Sequence, residues 1–196
     1  MSWIDILDNC APLVSPITMQ KIVKIESGGD ALALNVNGLR VRLKPKTSAE
    51  AAAIARQYIA QGHTVDLGLM QINSTNVARL GYSVEDMFVP CKNLKAGSEL
   101  LSKSYLRARK SRAPQLALRA ALSAYNTGNF VRGFQNGYVA KYFRNSTKYF
   151  HSSGSSRVKS NYIEKSYVVT KQRPVYAYKN PYTAETIVYS RFFKKG

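Results

Sequence analysis

The chain contains few residues of the kinds that bind metals, and it has no apolar run long enough to cross a membrane. Its 196 residues include two cysteines and two histidines, and neither Cys10 and Cys91 nor His63 and His151 are spaced as metal ligands. No stretch of about 18 consecutive apolar residues occurs, so no transmembrane segment is predicted. The sequence therefore predicts a protein without a bound metal and without a membrane span.

The start of the chain lacks the pattern of a secretory signal. Residues 1–8, Met-Ser-Trp-Ile-Asp-Ile-Leu-Asp, contain neither the basic segment nor the longer apolar segment that such a signal needs. We therefore expect either that a signal has been removed from this sequence or that export follows another route.

Acidic residues are scarce in the second half of the chain. Residues 101–196 hold 19 Lys and Arg against 2 Asp and Glu, whereas residues 1–100 hold 10 against 9, which gives the net charge of +18. Such a basic half attracts polyanions, which include nucleic acid, anionic lipid head groups and the acidic polymers of a bacterial wall. Charge alone does not choose among them.

Length and composition predict one medium domain followed by an extension. Hydrophobic residues make up 45% of the chain, enough to bury a core. Residues 151–156, His-Ser-Ser-Gly-Ser-Ser, have the composition of a flexible linker. We therefore assign a domain to residues 1–150 and a basic tail to residues 151–196, in which residues 167–170 and 186–189 are either short strands or segments that order on a partner.

Local signals predict that the first long helix ends at a glutamate. Ser15 and Pro16 suit the start of a helix, and the apolar side of that helix leads to Glu26. Gly28 and Gly29 then break it. The negative end of a helix dipole raises the pKa of a carboxyl group, which favours a protonated Glu26.

The remaining signals predict further helices and one small β-hairpin. Residues 31–43 alternate as a hairpin does, with Asn37-Gly38 as its two-residue turn. A capping box at residues 47–50 starts a helix that stops before Gly62. Two more helices are expected from about residue 93 to 112 and from residue 114 to 125. The predicted class is mainly α, with a small β component.

Three short blocks carry the functional signal. They are Glu-Ser-Gly at residues 26–28, Gly-Leu-Met-Gln-Ile-Asn at 68–73 and Ala-Tyr-Asn at 124–126. In this order the blocks resemble the signatures of soluble lytic transglycosylases with the lysozyme-like fold. Residues 9–12 and 89–94 resemble the small subfamily that accompanies type IV secretion and conjugation machinery. The resemblance covers roughly residues 10–145 of the sequence and does not extend into the tail.

The resemblance implies cleavage of peptidoglycan between N-acetylmuramic acid and N-acetylglucosamine, without a cofactor. Glu26 would be the single catalytic carboxyl, acting first as general acid and then as base, and the product would be a 1,6-anhydromuramyl end. One acid is enough because a hydroxyl already held near the reacting carbon replaces the second carboxylate of ordinary glycosidases. Partial burial raises the pKa of the catalytic glutamate of lysozyme to about 6, and we expect the same effect for Glu26.

The resemblance also implies roles for the neighbouring residues. Ser27 and Gln71 would hydrogen-bond sugar substituents, and Tyr125 would support Glu26 or the developing charge. Three further roles are expected: backbone fixing by Asn126, packing against a sugar by Met70, and close backbone approach at Gly68. Core packing remains the alternative for Met70.

A wall enzyme would act in an oxidising compartment, here the periplasm, which favours a disulfide between Cys10 and Cys91. Such a bridge would contribute on the order of 4 to 5 kcal/mol by the chain-entropy model. Two unrelated buried thiols are the alternative. We expect a monomer that binds peptidoglycan glycan strands and docks on secretion-complex subunits through its tail.

Two other functions stay open. A hydrolase on the same scaffold would use Asp66 or Asp30 to activate water, although we interpret Asp66 as structural. A non-catalytic assembly or nucleic-acid-binding protein would stack bases on the aromatic residues interleaved with cations at residues 138–150. An amphipathic helix with its aromatic residues packed inward explains that pattern better, so nucleic acid is the less favoured partner.

Overall fold

The structure, a computed structural model, describes residues 2–143 and the backbone of residues 176–179 and 186–189. These residues belong to two units. In the second unit, strand β4 (Tyr176–Lys179) pairs antiparallel with β5 (Thr186–Tyr189), so the segment at 186–189 is a strand. Residues 167–170, the linker and the domain boundary predicted near residue 150 lie outside the described residues.

Helices form most of the first unit. They are α1 (Leu7–Cys10), α2 (Pro16–Glu26), α3 (Ser48–Ala60), α4 (Ser74–Val77), α5 (Pro90–Arg109), α6 (Pro114–Thr127), α7 (Arg132–Gln135) and α8 (Tyr138–Lys141), with 3-10 turns at Ala78–Leu80 and Glu85–Phe88. Three of these helices begin with a proline, whose fixed φ suits the first helical position and whose missing N–H costs nothing there. None of the helices described is both long and apolar enough to cross a membrane.

The predicted helix boundaries are close to those observed. At the start of α3, the Thr47 hydroxyl accepts a hydrogen bond from the Glu50 amide at 3.1 Å. The Glu50 carboxylate accepts one from the Lys46 amide at 2.7 Å, one residue outside the usual capping-box partner. Helix α5 begins three residues before the predicted start, because its first turn takes Pro90. Helix α6 continues to Thr127 and ends at Gly128.

A three-stranded antiparallel sheet packs beside the helices, in the order β1 (Leu34–Val36), β2 (Val65–Leu67) and β3 (Ile72–Asn73). Leu34 lies opposite Leu67, so the hairpin predicted within residues 31–43 is wrong. A turn does form at Asn37-Gly38, but residues 39–43 make no strand. The amide of Asn37 donates instead to the Thr64 carbonyl at 2.9 Å, which commits this end of β1 to β2. In the first unit, β2 and β3 form a small hairpin.

The core lies where α2, α5 and α6 meet the sheet. Its fully buried side chains include Met19 and Ile22 of α2, Leu67 of β2, Leu94 of α5 and Leu122 of α6. The predicted disulfide between Cys10 and Cys91 is present and joins the end of α1 to the first turn of α5. The predicted mainly α, lysozyme-like architecture with a small β component is thereby confirmed.

Candidate active site

Glu26 is the last residue of α2, as predicted. The chain turns away after it through Gly28 and Gly29, whose φ angles of +68° and +96° are costly for residues with a side chain. A Cβ added to Gly29 would also lie 3.0 Å from the indole nitrogen of Trp3. The glycines therefore end the helix and leave the Glu26 side chain half-buried at its terminus.

The environment of Glu26 raises its pKa to about 7. Burial is the largest cause, because a partly desolvated carboxyl resists ionisation. A hydrogen bond from the Tyr138 hydroxyl lowers the pKa, the negative charge of Asp66 raises it, and the positive charge of Lys141 lowers it. Glu26 is consequently divided between acid and carboxylate near neutral pH, which suits a group that must both give and take a proton.

Two tyrosines of the α8 region form a hydrogen-bond chain to Glu26. The Tyr138 hydroxyl donates to Glu26 Oε1, and the Tyr142 hydroxyl lies 2.5 Å from that of Tyr138. Burial raises the pKa of both tyrosines well above the ordinary value, so both hydroxyls stay protonated. Sequence reasoning missed this role, because it assigned these residues only to an aromatic and basic stretch. Their spacing of four residues was the one signal for a shared face.

The aromatic residues of that stretch point into the protein. Tyr138 and Tyr142 are only 4% and 5% exposed, and Lys141 between them is exposed. Phe143 is partly buried, with the Arg119 guanidinium 4.5 Å from its ring centre. The inward packing predicted as the better explanation is therefore observed for these residues, while the aromatic and basic residues from 144 to 150 lie outside the described part.

The loop between β2 and β3 is held from inside by Asn93. Its side-chain amide donates to the carbonyls of Leu67 and Met87, both at 2.9 Å, and its Oδ1 accepts from the Met70 amide at 2.8 Å. Gly68, at φ +68°, leaves room for this contact, since an added Cβ would strike the Met87 carbonyl and lie 2.6 Å from Asn93 Nδ2. The close backbone approach predicted at Gly68 is therefore an approach to Met87 and Asn93 of the protein itself. Sequence reasoning missed Asn93, because a polar residue inside a helix pattern gives no signal of its distant partners.

The side chains of the predicted sugar-binding residues make contacts within the protein, in or beside the loop between β2 and β3. Met70 is fully buried against Gly97, which supports the core alternative, and its packing against a sugar stays a prediction. The Ser27 hydroxyl lies 2.8 Å from the Leu69 carbonyl, to which it donates. Gln71, at φ +46°, donates through Nε2 to the carbonyls of Ala33 and Gly68 at 3.2 and 3.0 Å. Sugar contacts by Ser27 and Gln71 stay predictions.

Tyr125 and Asn126 connect α6 to the two sides of the site. The Tyr125 hydroxyl donates to the Met70 carbonyl at 2.7 Å, which steadies the loop opposite Glu26. Burial and, second, the Glu26 charge raise the pKa of Tyr125. Asn126 Oδ1 accepts from Asn136 Nδ2 at 3.0 Å, and Asn136 Oδ1 accepts from the Tyr138 amide at 3.0 Å. The side chain of Asn126 therefore bonds to a neighbouring side chain, whereas we expected it to fix the neighbouring backbone.

The carboxylate of Asp66 is bonded into the sheet. It lies on β2, and its oxygens accept from Asn73 Nδ2 at 2.7 Å and from Asn35 Nδ2 at 3.1 Å, so it links all three strands. Asp30 accepts from the Leu32 amide at 2.8 Å in a local turn. Among residues 2–143, no group of three or more His, Cys, Asp or Glu side chains is placed to hold a metal. The arrangement supports acid–base chemistry by one carboxyl.

Residues 8–147 match the protein family described as Transglycosylase SLT domain. Protein virB1 of Rhizobium radiobacter is 41% identical over 132 residues, which cover 67% of this chain and 55% of that protein. Type IV secretion system protein virB1 of Brucella suis biovar 1 (strain 1330) is 42% identical over 128 residues, which cover 64% of this chain and 54% of that protein. The chain thus spans about half the length of these curated relatives. No solved structure gives a significant match.

Proposed function

Because the chain belongs to the transglycosylase SLT domain family, as its three sequence blocks predicted, we propose that it is a peptidoglycan lytic transglycosylase with Glu26 as its single catalytic carboxyl. The observation that carries this proposal is the state of Glu26. Burial raises its pKa to about 7, and the Tyr138 hydroxyl holds one of its oxygens in place. The pKa of an efficient acid–base catalyst lies near the working pH.

In the proposed reaction, Glu26 first donates a proton and later accepts another. Glu26 gives its proton to the glycosidic oxygen between N-acetylmuramic acid and N-acetylglucosamine as the bond to the anomeric carbon breaks. The Glu26 carboxylate then takes the proton of the muramyl C6 hydroxyl, whose oxygen attacks the same anomeric carbon. Glu26 ends as it began, the muramyl unit becomes a 1,6-anhydro end, and no water is consumed.

We favour this route over hydrolysis. A retaining or inverting glycosidase needs a second carboxylate about 5 to 10 Å from the first, free to attack carbon or to activate water. Asp66 is close enough for its charge to raise the pKa of Glu26, but each of its oxygens accepts a hydrogen bond from the sheet, one from Asn73 and one from Asn35, which supports a structural role. An intramolecular hydroxyl held near the anomeric carbon makes such a group unnecessary.

The relatives also support a biological setting for this activity. The name of the Brucella suis relative, type IV secretion system protein virB1, supports a role in which this chain acts in the periplasm and opens the wall locally for assembly of a secretion or conjugation apparatus. We assign the basic tail, residues 151–196, to docking on secretion-complex subunits, and we take the enzyme to act as a monomer. Nucleic-acid stacking receives little support, because Tyr138 and Tyr142 are buried in the core.

Release of soluble fragments from purified peptidoglycan sacculi tests the proposal. Wild-type protein should release fragments, and Glu26→Gln, which keeps the shape but has no transferable proton, should reduce the rate by at least 100-fold, in line with the contribution of general acid catalysis. Asp66→Asn is the matched control and should keep activity within about 10-fold, since its amide oxygen still accepts from Asn73 and the bond that it loses, from Asn35, is exposed. If Glu26→Gln remains active, or if Asp66→Asn is as inactive as Glu26→Gln, the single-acid proposal is wrong.

A further inference from the structure

Tyr142 touches the candidate active site only through another tyrosine. It follows α8, its side chain is buried, and its hydroxyl lies 2.5 Å from the Tyr138 hydroxyl. The two rings meet edge to face, with centres 5.2 Å apart. Lys21 of α2 donates to the Tyr142 carbonyl at 3.4 Å, which ties this turn to the helix that ends in Glu26. The position of the second hydroxyl is therefore set by both elements.

The number of protons fixes the direction of this hydrogen-bond chain. A tyrosine hydroxyl has one proton to donate and lone pairs with which to accept. Tyr138 gives its proton to Glu26 Oε1, so in the bond between the two tyrosines Tyr142 must be the donor. A hydroxyl that accepts a hydrogen bond becomes a stronger donor, because hydrogen bonds in a chain polarise one another.

We propose that Tyr142 is a positioning residue for the acid: it directs the Tyr138 proton to Glu26 Oε1 and thereby reserves Oε2 for the proton that is transferred to substrate. This assignment rests on the proposed function of Glu26. Among the described residues, no hydrogen bond to Oε2 competes with that use. The two hydroxyl donors also stabilise the Glu26 carboxylate, so they lower the Glu26 pKa, whereas burial raises it.

The other groups that face Glu26 are two charged side chains and one neutral tyrosine. Asp66 on β2 raises the Glu26 pKa and Lys141 on α8 lowers it. Tyr125 on α6 has committed its hydroxyl to the Met70 carbonyl. Removing the Tyr142 hydroxyl leaves these groups in place, so a change in the Glu26 pKa reports on the tyrosine chain.

Titration of Glu26 by 13C NMR of the full chain, labelled at glutamate side-chain carboxyls, tests the proposal directly. Tyr142→Phe keeps the ring and removes the donor. If the lost donor weakens the Tyr138–Glu26 bond by the 10 to 30% expected for cooperative chains, the Glu26 pKa should rise by about 0.1 to 0.6. Tyr138→Phe removes the bond itself and should raise the pKa by about 1 to 2. The double variant should match Tyr138→Phe, because Tyr142 acts through Tyr138.

Tyr58→Phe is the matched control, since it removes a hydroxyl from a half-buried tyrosine on α3 that has no contact with Glu26. It should leave the Glu26 pKa unchanged. If Tyr142→Phe does not fold, 3-fluorotyrosine at position 142 keeps the ring and makes a stronger donor, so the Glu26 pKa should fall. An unchanged Glu26 pKa in the Tyr142 variant, or a double variant that differs from Tyr138→Phe, overturns the proposal.

The NMR readout separates this proposal from the proposed function. An inactive wild-type protein would refute the transglycosylase assignment, yet the Glu26 pKa would still show whether the Tyr142 hydroxyl acts on it. In the active enzyme, the rate falls at high pH because ionised Glu26 has no proton to give. The midpoint of this fall should therefore move to higher pH in Tyr142→Phe, by the same amount as the Glu26 pKa. A purely structural role of Tyr142 would lower the rate at every pH without moving that midpoint.

Discussion

Replacement of Asn93 by alanine should lower the free energy of unfolding by about 2 to 4 kcal/mol. Asn93 is fully buried and bonds to the Leu67 and Met87 carbonyls and to the Met70 amide. The variant would leave these three backbone groups without that partner. A buried polar group left unsatisfied costs about 1 to 3 kcal/mol, and a water molecule that enters the vacated space offsets part of the total.

Urea unfolding followed by circular dichroism measures this change as a shift in midpoint at constant slope. Asn126→Ala provides the control, because Asn126 is exposed and its side chain, within residues 2–143, bonds to the Asn136 side chain alone. Its effect should stay within about 0.5 kcal/mol, as for other surface substitutions. A loss below about 1 kcal/mol for Asn93→Ala would show that the loop between β2 and β3 does not depend on this side chain.

Three more predictions concern stability. The Glu26 pKa is higher in the folded state than its ordinary value of 4.5, so its contribution to stability is present below pH 4.5 and is lost as pH rises to about 7. Relative to wild type, Glu26→Gln should therefore gain about 3 kcal/mol of stability between pH 4.5 and 8. An equal difference at both pH values would contradict this. Reducing the disulfide between Cys10 and Cys91, which are 81 residues apart, should cost up to about 4.5 kcal/mol, and an unchanged melting temperature in reductant would refute it. Gly68→Ala should lower the free energy of unfolding by more than about 3 kcal/mol, because the new Cβ clashes with the Met87 carbonyl at a residue whose φ is already positive. Gly38→Ala, with a positive φ but open space around it, should lower it by about 1 kcal/mol. Equal unfolding midpoints for the two variants would show that the clash is relieved.

The parts of the fold that sequence predicted well depend on local chemistry. Prolines at the starts of α2 and α6 and the capping box before α3 act within one turn of the chain. The same holds for Glu26, whose place at the end of α2 follows from the two glycines after it. The disulfide needed more than local information, and it was predicted because the family resemblance implied an oxidising compartment.

The failures concern contacts between distant parts of the chain. The turn at Asn37-Gly38 forms, but the partner of β1 is β2, about 30 residues further along. Nothing near Met70 in sequence reveals that Gly97 closes over its side chain. Tyr138 is 112 residues from Glu26 and yet donates to its carboxyl, and no spacing rule predicts such a bond.

Mass analysis of the fragments released from purified peptidoglycan tests the central claim most directly. The account predicts that the wild-type chain releases muropeptides with 1,6-anhydromuramyl ends, each lighter by one water than the corresponding hydrolysis product, and that Glu26→Gln releases none. Fragments with reducing ends would contradict it, because they would require a water molecule activated by a second group such as Asp66 or Asp30.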